Sequence, residues 1–368
     1  MIKDLCIVGG GIAGLSAAFY TSNREIILFE EHREVGYPEH CSGLVGFEVK
    51  AFVEKISPNL IDAKYSRISV GIGNRFLHID FRRPAIFHVN RPELEARILD
   101  TVSGRVSFQG GVRVKPSHIP SEIKAGDKTY NCANIVASDG PLSVFRRKYF
   151  LSQIGIMVGI QGLFRVSNLD PDNILVIYPH ISGNYFSWII PLDYDIGLIG
   201  GLFREAPPPI DSLVKRFSYL GFNIGGRQKI FGGPLPIGPR VIDPVAASKI
   251  LLFGDALPLT KPYTGGGLYH IIRLAPILGK ALDTRDLGLF RKAYRDTYLK
   301  LSLEDSAVRL FRDKHWIPLL LTTNYSKTGF ITPLDYDKHY ELALKLIATV
   351  PFLWIFPPIF HIHRKILG

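Results

Sequence analysis

Cysteine is scarce in this chain, which has three cysteines among its 368 residues. Cys6, Cys41 and Cys132 form no C-x-x-C pair and do not have the spacing of metal ligands. We therefore expect no disulfide scaffold, no zinc site and no iron–sulfur cluster. So few cysteines are typical of a protein from a reducing, intracellular compartment.

The chain also lacks a long uninterrupted apolar run. The longest apolar stretch, residues 347–362, is broken by three prolines and is shorter than the roughly 20 residues that a spanning helix needs. Arg364 and Lys365 follow it directly, so it suits either packing inside the protein or contact with a membrane interface. Glycines interrupt the apolar residues 5–19, and no signal-peptide cleavage site follows them. We expect a cytoplasmic protein, with peripheral contact at the inner face of the cell membrane left open.

Acidic residues are outnumbered by basic ones. There are 33 Asp and Glu against 44 Lys and Arg, which gives a formal net charge of +11. Such an excess suits an anionic partner, for example a phosphorylated ligand or an anionic lipid. It is also compatible with an organism whose proteins are generally basic, so the charge alone does not decide between these interpretations.

A glycine-rich turn follows the first apolar segment. Residues 5–8 form a short apolar run suited to a buried parallel strand, and Gly9, Gly11 and Gly14 then complete the pattern G-x-G-x-x-G. Gly9 permits a tight turn, Gly11 lets the backbone approach a pyrophosphate, and Gly14 lets the next helix pack on the strand. That helix, which includes Ala13, would direct free N–H groups and the positive end of its dipole at the phosphates.

An acidic residue stands where a dinucleotide-binding unit needs one. A second strand is predicted over residues 25–29, and Glu30 follows it, 21 residues after Gly9. A carboxylate there accepts hydrogen bonds from a ribose diol and disfavours a 2′-phosphate, so NADP is not expected in this site. The glycine pattern alone would be weak evidence, but the strand, turn, helix and acid together predict a dinucleotide site.

Two later segments favour FAD over NAD. Residues 134–140 are typical of an apolar strand ending in Asp-Gly, and residues 249–256 form a second such strand, with Asp255 at its end. A carboxylate in that position can hold a ribityl hydroxyl. The residues that then open a helix would direct bare N–H groups at the pyrimidine edge of a flavin ring and stabilise negative charge there. These are Gly266, Gly267 and Leu268.

Together these segments resemble the flavoprotein group that includes para-hydroxybenzoate hydroxylase and geranylgeranyl reductase, over residues 1 to about 282. The resemblance implies bound FAD, with Asp255 near the ribityl chain and pyrophosphate. It also implies that Arg91, at the start of a helix, reaches the FAD. The alternative is a surface arginine, although the dipole at a helix N-terminus favours an acid there.

The implied fold class is α/β, or α+β overall. A Rossmann-type FAD-binding domain is interleaved with a mixed β-sheet substrate domain and followed by a C-terminal helical region. The expected boundaries are residues 1–65, 101–150 and 245–282 for the FAD-binding domain, 66–100 and 151–244 for the substrate domain, and 283–368 for the helical region.

Residues 36–44 resemble the P-x-x-C-x-G segment of the geranylgeranyl reductase family, which borders the flavin. The match implies that Cys41, Ser42 and Leu44 lie near FAD and that Cys41 faces the substrate. A thiol there can line an apolar pocket or supply a proton. The alternative is a buried structural cysteine, which is the commoner case for an isolated cysteine.

Residues 185–191 resemble the family's Y-x-W-x-F-P motif, with Ile190 in place of the phenylalanine. In the family this motif lines a prenyl-binding cavity, which implies active-site positions for Tyr185 and Trp188. Alternation along a strand places these two side chains on opposite faces. A core strand of aromatic residues is the alternative interpretation.

The resemblance implies an FAD-dependent prenyl (geranylgeranyl) reductase, an oxidoreductase acting on CH–CH groups. It would hydrogenate C=C bonds of an isoprenoid lipid, a prenyl diphosphate or a quinone tail, using a hydride from the N5 position of reduced flavin and a proton. An aromatic monooxygenase of the same fold and a flavoprotein that carries electrons to membrane quinone are the alternatives.

The expected partners follow from that function. They are the prenyl-lipid substrate and an electron donor, either a ferredoxin-like protein or NAD(P)H, while neither nucleic acid nor a metal ion is expected. Arg82, Arg83 and Lys261 are candidates for binding a phosphorylated head group.

Overall fold

The computed structural model describes residues 2–22, 24–72, 75–178, 184–262, 264–313, 330–331 and 336–338. Within these residues the chain forms two eight-stranded sheets, a three-stranded sheet and seven α-helices, so the predicted α/β class is confirmed. The helices, numbered in chain order, are α1 (Ile12–Tyr20), α2 (Phe47–Ile56), α3 (Arg91–Val102), α4 (Val144–Tyr149), α5 (Ile210–Tyr219), α6 (Leu268–Thr284) and α7 (Leu287–Asp313).

The first sheet contains the predicted dinucleotide-binding unit. Its strands are β1 (Ile2–Val8), β2 (Ile26–Phe29), β8 (Val106–Gln109), β9 (Val114–Pro116), β10 (Glu122–Ala125), β11 (Lys128–Ala137), β17 (Val245–Ala246) and β18 (Ile250–Leu252). Strands β18, β11, β1, β2 and β8 lie side by side in that order and are parallel. Every residue of β2 and β18 is buried, as expected for a parallel sheet covered on both faces.

Parallel pairing brings several predicted site residues to one edge of this sheet. The carboxyl ends of β1, β2 and β18 meet there, because neighbouring parallel strands run in the same direction. Gly9 follows β1, Glu30 follows β2, and Asp255 follows β18 by a few residues. Ligands of open α/β sheets bind beyond the carboxyl ends of the strands, so the candidate site lies at this edge.

The second sheet is mixed, and none of its described strands pairs with a strand of the first sheet. In spatial order its strands are β16 (Asn223–Pro236), β12 (Ile156–Ser167), β15 (Ile196–Phe203), β14 (Asn184–Pro191), β13 (Asn173–Ile177), β5 (Arg67–Ile72), β6 (Arg75–Asp80) and β19 (Phe330–Ile331). Helix α5 covers one face, where Leu213 and Phe217 pack on Ile199 and Phe203. The opposite face presents Phe186, Trp188 and Leu202, the alternate residues of the same strands.

A small third sheet and helix α3 connect the two large sheets. Its antiparallel strands are β3 (Leu44–Val45), β7 (Ile86–Val89) and β4 (Ile61–Tyr65). Strand β7 leads directly into α3, which packs against α1 and α2. The expected domain boundary at residue 100 falls inside this helix.

The cysteine expectation was wrong for two of the three residues. Cys6 in β1 and Cys132 in β11 form a disulfide, with Cα atoms 5.9 Å apart and both side chains in the core. The two strands are direct neighbours in the first sheet. Sequence spacing could not indicate the pair, because it depends on the adjacency of strands that are 126 residues apart along the chain.

Beyond residue 282 the described part consists of the end of α6, helix α7, the short strand β19 and residues 336–338. Helix α7 packs against α6, and β19 pairs with β6 in parallel. The apolar segment 347–362 and the basic residues Arg364 and Lys365 lie outside the described residues. In the described part, no helix combines the length and apolar character needed to cross a membrane.

Candidate active site

The glycine turn after β1 is tightly packed. Gly9 has a φ of +99°, and a Cβ there would lie 2.3 Å from the carbonyl oxygen of Ser138. A Cβ on Gly14 would lie 2.0 Å from the carbonyl oxygen of Gly9, so α1 approaches the turn more closely than any side chain allows. Both positions therefore require glycine for backbone reasons.

Gly11 differs from these two glycines because it faces open space. It is the N-cap of α1, and a Cβ on it would meet no atom within 4 Å. No side chain of the described residues caps the first turn of α1. A helix N-terminus with free N–H groups and an open approach suits an anion such as a pyrophosphate. Ala13, a predicted cofactor contact, lies in the first turn of α1. Its Cβ is 2.4 Å from the position of a Cβ on Gly254, so there is little room for a larger side chain at residue 13.

Glu30 lies against the glycine turn. Its Oε2 accepts a hydrogen bond of 2.6 Å from the backbone N–H of Gly10. Its Oε1 accepts one of 2.9 Å from the backbone N–H of His32 and lies 2.8 Å from Nδ1 of the same residue. Oε2 has a second lone pair, so the side chain can still accept a hydrogen bond from a ribose hydroxyl. The structure thus places the predicted acid beside the predicted phosphate-binding turn.

Arg91 lies beside Cys41. It opens α3, which is capped by the side chain of Asn90, and its guanidinium donates to Glu95 Oε1 one turn later. Burial lowers the pKa of Arg91, but the carboxylate of Glu95 and the sulfur of Cys41 outweigh burial, so that the pKa is raised overall. Nε of Arg91 is buried without a hydrogen-bond partner among the described atoms. A charged guanidinium with an unused N–H suits an anionic or carbonyl-bearing ligand in front of it.

Asp255 approaches the same place from the end of β18. It lies in the short 3-10 helix Gly254–Ala256, and its Oδ1 is 3.1 Å from the position of a Cβ on Gly267. Burial raises the pKa of Asp255 from 3.8 to about 6, and the positive charges of Arg91, His40 and Arg146 lower it in part. The electrostatic coupling between Asp255 and Arg91 shows that the structure brings these two predicted residues together.

A second uncapped helix N-terminus lies next to Asp255. Gly267 is the N-cap of α6, Leu268 is its first residue, and no side chain in the described part caps it. The loop before it is closed by two backbone hydrogen bonds, from Lys261 N to Gly266 O at 3.0 Å and from Gly265 N to Lys261 O at 2.9 Å. The predicted glycines therefore form an ordered turn that opens α6 at the candidate site.

An apolar, aromatic cluster lies on the face of the second sheet opposite α5. The ring centroids of Phe186 and Trp188 are 5.5 Å apart, and those of Phe186 and Tyr178 are 5.8 Å apart. The indole of Trp188 lies on the backbone of Gly200, where a Cβ would be 2.4 Å from Trp188 Cζ2. Its Nε1 is buried and has no partner among the described residues. Tyr185 lies in the same strand, but its side chain is outside the described residues.

The Cys41 segment connects this aromatic cluster to the cofactor residues. Nδ1 of His40 lies 2.8 Å from the carbonyl oxygen of Gly232 in β16, and Nε2 of Gln161 in β12 donates to the carbonyl oxygen of His40 at 3.3 Å. Leu44 and Trp188 both pack against the buried cluster that includes Ile190 and Leu198. Ser42 lies between them and is half-buried, while the Cys41 thiol is free and exposed.

Tyr336 and Asp337 lie beside segments of the candidate site, although no sequence pattern indicated them. Asp337 Oδ1 accepts a hydrogen bond of 2.7 Å from Nζ of Lys261, and its Oδ2 accepts one of 2.8 Å from the backbone N–H of Gly46. Tyr336 packs against the same buried cluster as Leu44 and Trp188. Burial raises the pKa of Tyr336, and the charges of Asp337, Cys41 and Tyr178 raise it further.

The head-group candidates fall into two kinds. Lys261 is 5% exposed and paired with Asp337, so it does not present a cation at the surface. Arg82 and Arg83 are exposed, and the Arg83 guanidinium lies 5.6 Å from the ring centroid of Phe47. The two arginines therefore remain available to a phosphorylated group.

Comparison with known proteins gives relatives that extend over most of the chain. No family model matches the sequence. Digeranylgeranylglycerophospholipid reductase from Methanosarcina acetivorans is 25% identical over 342 residues, which cover 80% of this chain and 81% of the relative. A protein with the same name from Methanospirillum hungatei is 23% identical over 352 residues, 82% of this chain and 83% of the relative. An uncharacterised protein from Methanocaldococcus jannaschii is 26% identical over 325 residues, 80% of each chain.

Solved structures share the fold. A geranylgeranyl bacteriochlorophyll reductase-like protein from Thermoplasma acidophilum matches with a TM-score of 0.75 and 16% identity, covering 94% of this chain and 99% of the other. A probable FAD-dependent monooxygenase from Pseudomonas aeruginosa matches with a TM-score of 0.67 and 18% identity, covering 88% of this chain and all of the other. At these identities the structural likeness establishes the fold alone, and reduction and oxygenation both occur in the names of proteins that share it.

Proposed function

We propose that this chain, whose relatives include proteins named digeranylgeranylglycerophospholipid reductase, is a flavin-dependent oxidoreductase that uses FAD to hydrogenate C=C bonds of an isoprenoid lipid. The observation that carries the proposal is the position of Cys41. Cys41 interacts with Arg91, and Leu44 of the same segment packs, as Trp188 does, against the buried cluster of the second sheet that includes Ile190 and Leu198. An alkene reductase needs this arrangement, because the isoprenoid must lie in a dry pocket that reaches the flavin ring.

The residues at the carboxyl edge of the first sheet fit an FAD molecule. The N-terminus of α1 at Gly11 would hold the pyrophosphate, Glu30 the ribose, and Arg91 and Asp255 the groups between the pyrophosphate and the ring. The unpartnered Nε of Arg91 and the open space at Gly11 support this assignment. When bound, the reduced cofactor supplies a hydride equivalent to one carbon of the double bond.

The N-terminus of α6 would border the flavin ring. Gly266, Gly267 and the N–H of Leu268 direct a positive dipole end at whatever lies in front of them. Positive potential of this kind stabilises an electron-rich ligand. Asp255 lies beside this helix end and balances part of its positive potential when it is ionised.

The remaining requirement is a proton for the second carbon. Cys41 carries an exposed thiol next to the Arg91 guanidinium, and the cation would stabilise the sulfur after it releases its proton. Trp188 and Phe186 would exclude water from the alkene and hold the prenyl chain. Tyr185 is assigned to the same pocket by its motif.

The substrate's head group and the electron donor are further parts of the proposal. Two of the relatives described above are named as reductases of a glycerophospholipid, and a phosphorylated or glycerophosphate head suits a chain with a net charge of +11. Arg82 and Arg83 are the exposed cations we assign to that head. We expect a ferredoxin-like protein or NAD(P)H to reduce the flavin, and the lipid substrate to be taken up from a membrane surface.

The test is to incubate the dithionite-reduced protein, under argon, with geranylgeranylated glycerophospholipid in detergent or vesicles. We expect the flavin to reoxidise and the lipid to gain mass in steps of two hydrogens. Saturated lipid of the same head group is the matched control and should leave the flavin reduced. The proposal is wrong if prenyl diphosphates, prenyl lipids and prenylquinones all fail both to gain hydrogen and to reoxidise the flavin.

The structural match to an FAD-dependent monooxygenase supports a second candidate, oxygenation of an aromatic ring. In that case the air-exposed, NAD(P)H-reduced protein would consume oxygen in proportion to an aromatic substrate, and the product would gain one oxygen atom. Electron transfer to a quinone ring without saturation of its tail would indicate an electron carrier instead.

A further inference from the structure

The carboxylate of Asp337 joins two segments that border the proposed flavin site. One oxygen accepts from Lys261 at 2.7 Å and the other from the backbone N–H of Gly46 at 2.8 Å. The side chains of Asp337 and Lys261 are only 4% and 6% exposed, so water does not compete for these bonds. A buried carboxylate whose two oxygens have different partners fixes the distance between those partners.

Each partner of Asp337 lies next to predicted flavin contacts. Gly46 is the N-cap of α2 and follows Cys41, Ser42 and Leu44 by a few residues. Lys261 is the first residue of the loop that leads to Gly267. Its backbone N–H donates to Gly266 and its carbonyl oxygen accepts from Gly265, so these two bonds close the loop. One carboxylate from the C-terminal part of the chain therefore links the end of the Cys41 segment to the loop that opens α6.

The surroundings make this ion pair sensitive to loss of either member. Nζ of Lys261 lies 5.2 Å from the ring centroid of Tyr269 and 5.7 Å from that of Tyr336. The other titratable groups that interact with Lys261 do not replace Asp337. Burial lowers the pKa of His270 to about 3 and raises that of Glu304 to about 7, so His270 is neutral at pH 7 and Glu304 only partly charged. Removing one partner of such a buried pair leaves an uncompensated charge.

We propose that Asp337 is a positioning residue that holds the Cys41 segment and the α6 loop in register and neutralises Lys261 beside the flavin. This inference rests on the proposed flavin binding. The fixed spacing would present the flavin with Cys41 on one side and the helix N-terminus on the other. The neutral pair would keep the charge next to the ring low, so that the helix end and not a lysine sets the local potential.

The charge part of the proposal predicts shifts of opposite sign. Asp337→Asn keeps an acceptor for Gly46 but leaves Lys261 as an unpaired cation, which stabilises the electron-rich reduced flavin and raises its midpoint potential. Lys261→Met removes the cation that neutralises Asp337, so the remaining negative charge lowers the potential. The double variant removes both charges and should return the potential to the wild-type value.

The experiment measures the midpoint potential and flavin affinity of these three variants as holoproteins, and the melting temperature of each without flavin. Each single variant should melt lower than the double variant and bind flavin more weakly than wild type. Lys338→Met is the matched control, because Lys338 is the next residue and contacts Glu48 at 3.9 Å. Its potential and flavin affinity should equal those of wild type.

A general loss of stability would not produce the opposite shifts, so they separate positioning at the flavin from a purely structural role. Potentials that shift in the same direction in both single variants, or in neither, would overturn the proposal for Asp337. A wild-type protein that takes up no flavin would overturn the proposed function as well, which distinguishes the two failures. If Asp337→Asn does not fold, Asp337→Glu replaces it: the charge is retained, so the potential should stay unchanged, while the longer side chain weakens flavin binding.

Discussion

Cys6 and Cys132 cross-link two neighbouring parallel strands in the middle of the cofactor-binding sheet. The disulfide closes a loop of 126 residues, which includes the whole Cys41 segment and Arg91. It lies in the core, where Cys6 is fully buried and Cys132 is 1% exposed. The strand that leads into the glycine turn is therefore covalently tied to its neighbour.

This cross-link gives the first prediction. In denaturant without reductant, one thiol per chain, that of Cys41, should react with Ellman's reagent, and three should react after reduction. Reduction, or replacement of Cys6 and Cys132 by alanine, should lower the free energy of unfolding by roughly 2–5 kcal/mol, because the disulfide restricts the unfolded chain. Guanidinium titration of the oxidised and reduced protein measures the difference. Three reactive thiols in the unreduced protein would contradict the cross-link.

The glycine turn gives a prediction with a matched control. Because a Cβ on Gly11 meets no atom within 4 Å, Gly11→Ala should leave the melting temperature of the flavin-free protein close to that of wild type. The added methyl group would enter the space assigned to the pyrophosphate and weaken FAD binding by about tenfold or more, equivalent to ~1.4 kcal/mol. Flavin fluorescence titration measures the affinity.

Gly104→Ala is the control for that substitution, since a Cβ on Gly104 also meets nothing within 4 Å and the residue lies between α3 and β8, at the amino edge of the first sheet. It should bind FAD as tightly as wild type. Equal affinities of Gly11→Ala and Gly104→Ala would argue that the turn does not face the cofactor.

Local patterns predicted the parts of the structure that depend on near neighbours in sequence. The glycine pattern located the turn, because the steric requirements at Gly9 and Gly14 arise within one strand–helix unit. Alternation along β14 likewise places Phe186 and Trp188 on one face, and their ring centroids are 5.5 Å apart. Resemblance to a family, and not local physics, suggested that Arg91 and Cys41 belong together.

Long-range contacts could not be predicted in this way. The pairing of Cys6 with Cys132 follows from strand order, and the pair of Lys261 and Asp337 joins residues 76 positions apart. Sequence spacing does not indicate that Cys6 and Cys132 are partners, nor that Lys261 and Asp337 are. Both pairs were therefore missed. Lys261 illustrates the difficulty. The net charge of the chain suggested that its cation could bind a phosphorylated head group, whereas the structure buries Lys261 in an ion pair with Asp337.

Asp255 gives a prediction about pH. Its pKa is raised by burial from 3.8 in the unfolded chain to about 6 in the folded, flavin-free protein. The folded protein therefore binds more protons than the unfolded chain between these values, and stability falls as pH rises through that window. At pH 7 the unfavourable contribution amounts to about 3 kcal/mol, since each pKa unit corresponds to about 1.4 kcal/mol.

Asp255→Asn should remove this dependence. The variant is expected to be more stable than wild type above pH 6, and the difference between the two should shrink as pH falls to about 4. Urea unfolding of the flavin-free proteins at several pH values measures it, with Asp127→Asn in an exposed turn as the control. A difference between wild type and Asp255→Asn that does not vary between pH 4 and pH 7 would contradict the buried, coupled position of Asp255.

Gly200 allows the aromatic pocket to be tested without touching the residues assigned to the cofactor. A Cβ on Gly200 would lie 2.4 Å from the Trp188 ring and 2.7 Å from the Cβ of Gln161, so Gly200→Ala must displace the indole. We expect overpacking to lower stability by about 1–3 kcal/mol. We also expect a higher KM for the prenyl substrate and altered tryptophan fluorescence, with FAD affinity unchanged.

Gly225→Ala, in the same sheet and with no atom within 4 Å of its Cβ, should change none of these quantities. If Gly200→Ala shifts the fluorescence but leaves KM and chain-length preference at their wild-type values, Trp188 packs the sheet and does not line the substrate pocket.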